Sequence, residues 1–61
     1  MSEGMEQVSI QYQDRTGNWT TVMRVQNLAP NIRIGMDSAA RAHPGCRVRA
    51  VDDAGRVVDL L

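Results

Sequence analysis

Sixty-one residues with seven basic and seven acidic side chains make one small domain at most, with no net charge to draw it broadly to nucleic acid or a membrane surface. A lone cysteine, Cys46, excludes an internal disulfide, so a chain that buries only about 60% of its unfolded surface needs a regular fold or a partner. No stretch approaches the roughly 18 apolar residues of a membrane helix, the opening MSEGMEQ is acidic rather than apolar, and the free thiol points to the cytoplasm rather than to export.

Residues 1–5 are expected to form a disordered N-terminus and residues 6–61 a single α+β domain. Alternation in VSIQYQ predicts a strand near 6–14, and WTTVMRV a second near 19–25. Between them, QDRTGN carries Asp-x-x-Gly. Asp14 can open a type I turn by accepting a nearby backbone N–H, and Gly17 can close it with positive φ, giving a three-residue hairpin with a bulge. The segment NLAPNIRIGMDSAARAHPG predicts one helix of about 14 residues, roughly 21 Å long. Asn27 is its expected N-cap and Pro30 suits its first turn. Leu28, Ile32, Met36, Ala39 and His43 share one face, with Gly35 on the same side to let the helix approach a sheet. Arg33, Asp37 and Arg41 line the opposite side, where Ile34 is also exposed. Pro44 and Gly45 end the helix. Strands near 46–52 and 56–60 then flank VDDAGR, a second Asp-x-x-Gly turn built on Asp52 and Gly55. The order is ββαββ, one helix on a four-stranded, mainly antiparallel sheet whose other face stays open. Strand order is not determined by the sequence.

A three-residue loop at 53–55 would pair Val51 with Val57, Ala50 with Val58, Arg49 with Asp59 and Val48 with Leu60. Cys46, Val48, Ala50, Val58 and Leu60 would then face the helix. Arg47, Arg49, Val51, Val57 and Asp59 would face away, with Arg49 and Asp59 as an ion pair. In the first hairpin, Val8, Ile10 and Tyr12 should face the helix. The same turn logic pairs Gln13 with Trp19 and sends Trp19 and Met23 to the open face, yet Trp19, Met23 and Val25 share the parity of a core face. A bulge reconciles the two, because one residue of slip inverts a strand. The size of its indole favours burial for Trp19.

Arg24, Arg47 and Arg49, with Val51 and Val57, are the candidate partner-binding residues on the open face. The competing reading is a solvated sheet face with cross-strand ion pairs, as antiparallel sheets commonly have. RNA-binding sheets display several stacking aromatics, and only Trp19 is available here. His43 and Cys46 provide two ligands where zinc needs three or four, so no metal and no cofactor is expected. They read instead as a helix-end side chain and a small interior residue. No nucleophile, base and oxyanion site are spaced for catalysis, and Asp52 and Asp53 fit turn chemistry. No enzyme is expected.

HPGCRVRAVDDAGRVVDLL, with VSIQYQDRTGNWTTV and the helix between them, resembles short uncharacterised bacterial proteins of about this length. The resemblance covers nearly the whole chain; its signature, PG-x-RVRAVD-x-x-GR-x-VD, is a folding pattern that supports the ββαββ fold without implying an activity. The functional expectation is a small interaction module that binds a protein partner, or itself as a weak homodimer, through the open face or an unprotected sheet edge. An RNA- or DNA-binding accessory protein using the arginines is the alternative; no membrane role is expected.

Overall fold

The computed structural model describes residues 6–61; the N-terminal disorder expected for 1–5 lies outside them. The fold is α+β in the expected order: β1 (Gln7–Gln13), β2 (Trp19–Gln26), α1 (Ala29–Ala42), β3 (Val48–Val51) and β4 (Val57–Leu60). The strands form one open antiparallel sheet in the order β2-β1-β3-β4. The two hairpins therefore meet along β1 and β3, and α1 carries the chain over β1 from one edge strand to the other central strand. Among the described residues no helix is long and apolar enough to cross a membrane.

The twin turns are the same device used twice. Asp14 N–H donates to Asn18 O at 2.9 Å and Gly17 N–H to Asp14 O at 3.0 Å; Asp52 with Arg56, and Gly55 with Asp52, repeat both distances. In each turn the aspartate Oδ1 accepts the N–H groups two and four residues on, at 2.9–3.0 Å. Gly17 and Gly55 have φ of 89° and 83° as expected, a region a side chain with Cβ rarely adopts.

Each second strand then carries a bulge, and these set which side chains face the helix. In the first hairpin Ile10 pairs with Met23 but Gln11 pairs with Thr21, leaving Val22 as the extra residue. One inserted residue inverts the faces beyond it. Met23 and Val25 consequently join Ile10 and Val8 under the helix, while Trp19 and Thr21 lie with Gln13 and Gln11 on the open face. Trp19 is partly buried, as its size favours, but against the open face and not under the helix.

In the second hairpin Val51 pairs with Val57 but Ala50 pairs with Asp59, so Val58 is the extra residue. The expected placement of Val58 and Leu60 against the helix fails for this reason. Leu60 stands opposite Arg49 on the open face, and Leu61 donates its N–H to Val48 O at 2.8 Å. Asp59 moves opposite Ala50, which takes it to the helix side and removes the expected ion pair with Arg49. The helix packs over β1, β2 and β3, leaving Val58 and Leu61 exposed.

The core is Val8, Ile10, Ile32, Met36, Ala39, Val48 and Ala50, flanked by Tyr12, Met23, Val25 and Ala40. Each large apolar side chain buried here contributes about 1.5–3 kcal/mol. Leu28, expected on the packed face, is instead the N-cap position and 41% exposed. Asn27 does not cap; its Nδ2 approaches Glu6 Oε1 at 3.4 Å. At the other end His43 stacks on Tyr12, with ring centroids 3.7 Å apart. Cys46, expected inside, is only half-buried. Ile34 is 70% exposed, as its position on the outer face requires.

Gly35 faces Ile10 so closely that a Cβ there would lie 3.0 Å from Ile10 Cγ1 and 3.3 Å from Met23 Sδ. Ile10 is fully buried, so a shift to make room would disturb its packing in the core. Gly35→Val should therefore lower the unfolding free energy by about 1–3 kcal/mol in urea titration, and Gly35→Ala by less, because helix propensity offsets part of the crowding.

The turn aspartates are held below the usual carboxylate value of 3.8, Asp14 chiefly by the Thr16 hydroxyl and Asn18 N–H, Asp52 chiefly by Arg56 N–H. A depressed native pKa adds stability above the unfolded value that is lost as pH falls through the native one. The melting temperature should thus be insensitive to these groups from pH 7 to about 5 and decline below that. Asp14→Asn combined with Asp52→Asn should give a lower melting point at pH 7 and a shallower acid decline.

Candidate functional site

The open face is a grid set by strand register. Ser9, Gln11 and Gln13 of β1 run down its centre. Beside them lie Arg24, Thr21 and Trp19 on β2. On the other side Val51 opposes Ser9 and Arg49 opposes Gln11, while Gln13 N–H bonds to Arg47 O at 2.9 Å, so strand alternation puts Arg47 on the same face. Val57 and Leu60 of β4 extend the rows of Val51 and Arg49.

Gln11 holds the middle row together. Its Nε2 donates to Thr21 Oγ1 at 3.0 Å, and its Oε1 accepts from Arg49 Nε at 2.8 Å. The Arg49 guanidinium carbon sits 4.0 Å from the centroid of the Trp19 ring, a diagonal contact across β1 with the geometry of a cation–π pair. Arg24 is engaged differently: its Nη2 reaches Asp53 Oδ1, 2.7 Å away in the second turn. Arg47 is exposed and, among the described residues, its side chain makes no hydrogen bond or ion pair.

The five residues singled out in the sequence thus lie on one face, but they are not equivalent. Arg24 is paired with Asp53 and Arg49 is clamped between Gln11 and Trp19, whereas Arg47 makes no such contact among the described residues. Val51 and Val57 form a directly paired apolar step, and Val57 is 50% exposed. Two members were missed. Leu60 was hidden by the bulge at Val58, which nothing local in VVDLL announces. Gln11 was hidden because its role needs Thr21 and Arg49 on two different neighbouring strands, although its parity with Trp19 was readable.

The other groups singled out in the sequence lie away from this face. Cys46 N–H donates to His43 O at 3.1 Å, beside the His43–Tyr12 stack. Asp52 accepts Arg56 Nε at 3.1 Å, and its side chain is only 8% exposed. Among the described residues no three Asp, Glu, His or Cys side chains gather as metal ligands. Shallow depressions lie elsewhere on the surface of the described residues. One, of about 260 Å³, is lined by Ile34, Asp37, Ser38 and Arg41 on the helix. Another, of about 320 Å³, lies between Glu6 and the second turn.

Comparison with protein-family models, with curated proteins and with solved structures finds no match for this chain.

Arg49→Ala should uncover one face of the Trp19 ring. Acrylamide quenching of its fluorescence should become more efficient, and stability should fall by about 0.5–1 kcal/mol, the size of an exposed cation–π contact. Unchanged quenching would mean that the two side chains do not stack in solution.

Proposed function

We propose that this chain is a small, non-enzymatic interaction module that binds a protein partner through the open sheet face. The observation that carries the reading is the apolar step of Val51, Val57 and Leu60, left uncovered on a sheet face whose arginines flank it. A contiguous exposed apolar patch rimmed by polar residues is the kind of surface through which proteins bind one another. The reading favours protein over nucleic acid because Arg49 already occupies one face of the single tryptophan, and stacking on aromatic faces is what sequence-tolerant strand binding requires. A cytoplasmic location belongs to the same reading, supported by the unpaired Cys46 thiol.

The face is preferred to the edge of β4. Leu61 N–H points to β3, so Leu60 N–H, the next along, points outward by strand alternation. Asp59 Oδ1 accepts it at 2.8 Å. That contact occupies a donor an added strand would need and sets a charge at the edge, two ways in which sheets discourage edge pairing.

Val57→Asp separates binding from folding. It should alter stability by no more than about 0.5 kcal/mol, as is usual at exposed positions, and abolish capture of partner proteins by the immobilised chain. Retention of the same captured proteins by the variant, at an unchanged melting temperature, would remove the open face from the interaction.

A further inference from the structure

Resting on that reading, we infer that the partner segment is acidic and apolar together, with a carboxylate seated on Arg49 and aliphatic side chains against Val51, Val57 and Leu60. The argument starts from how Arg49 is held. A guanidinium has five N–H donors in a planar fork. Here Nε is taken by Gln11 Oε1 at 2.8 Å and the plane lies against Trp19 at 4.0 Å. Both contacts fix orientation without using the terminal donors. Among the described residues, neither Nη of Arg49 has a hydrogen-bond partner. What remains is a rigid fork with its two terminal groups unclaimed, the arrangement that accepts a carboxylate through two parallel bonds. Gln11 is in turn fixed by Thr21 at 3.0 Å, so little side-chain freedom is left to lose on binding.

Charge complementarity selects the partner's sign. On the open face Arg24 is matched by Asp53, but among the described residues neither Arg47 nor Arg49 forms an ion pair with an acid. The carboxylate expected there, Asp59, lies opposite Ala50 because of the bulge at Val58. That same bulge turns Leu60 to face Arg49. Unmatched cation and exposed leucine are therefore adjacent, and Val51 and Val57 lie one row further along. An extended segment crossing this face would meet positive charge and aliphatic surface within a few residues, since same-face positions on a strand recur at about 6.6 Å. A nucleic-acid strand would satisfy the arginines but leave the aliphatic row against its sugar-phosphate chain.

The test selects binders to the intact chain from a random twelve-residue peptide library, then measures the selected peptides as synthetic compounds by titration calorimetry. Asp or Glu close to Leu, Ile or Val should be enriched. Arg47→Glu and Arg49→Gln should each weaken those peptides by about tenfold or more, as should raised salt, and Val57→Asp should weaken them as well. Selected peptides without acidic enrichment that still fail on Val57→Asp would overturn the acidic inference while leaving the open face as the binding surface. Peptides indifferent to all three variants, or no selection at all, would overturn both. Tighter binding of a fifteen-nucleotide thymidine strand than of any peptide would overturn the inference in favour of phosphate, and a concentration-dependent dimer lost in Val57→Asp would replace the acidic partner by a second copy.

Discussion

The extra residue at Val22 is the constraint on which the other features depend. The Asp14–Gly17 turn fixes the pairing of Gln13 with Trp19, and without a correction that register would keep Met23 and Val25 out of the core. A bulge between Ile10 and Gln11 inverts the faces midway along β2. Met23 and Val25 then pack with Ile10 and Val8 beneath the helix, and Trp19 goes to the opposite side. With so few residues, the core has no aromatic side chain at its centre. It closes instead by bringing α1 down onto Ile10 at Gly35, where the Ile10 and Met23 side chains would crowd a Cβ.

The face that the helix does not cover has its own order. Thr21, Gln11 and Arg49 form a hydrogen-bonded line across three strands, and Trp19 supports its end. Such cross-strand contacts contribute only about 0.2–1 kcal/mol each. Their larger effect is on shape, since they hold long polar side chains in one arrangement. This is the property that the proposed partner binding draws on: an ordered arginine beside aliphatic surface needs less rearrangement than a mobile one.

Much of this architecture could be read from the residues. Element order follows from the two Asp-x-x-Gly turns and the helical spacing of Ile32, Met36 and Ala39, and the positive φ of Gly17 and Gly55 follows from turn geometry. The close approach at Gly35 follows from its place on the packed face. Strand order was not readable, because both hairpins are local while the β1–β3 pairing joins residues about forty positions apart. The two bulges had unequal signals. At β2 the conflict between turn register and apolar parity pointed to one, but the size of Trp19 argued for burying it, and packing chose Met23 and Val25 instead. At β4 the alternation of VVDLL fitted an unbroken strand equally well, so Leu60, Asp59 and Arg49 were assigned the wrong neighbours. The Asn27 cap failed because Leu28 takes the extended N-cap geometry and Asn27 turns toward Glu6.

The most direct test of the inverted strand is nuclear Overhauser spectroscopy on the uniformly labelled chain. The account predicts contacts from the Trp19 indole to the Arg49 side chain, upfield-shifted Arg49 signals from the ring, and contacts from the Met23 methyl to Gly35 and Ile10. Contacts from the Trp19 indole to Met36 or Ala39, with Met23 facing Gln11, would contradict it, because they would place the tryptophan under the helix and dissolve the face on which the functional reading rests.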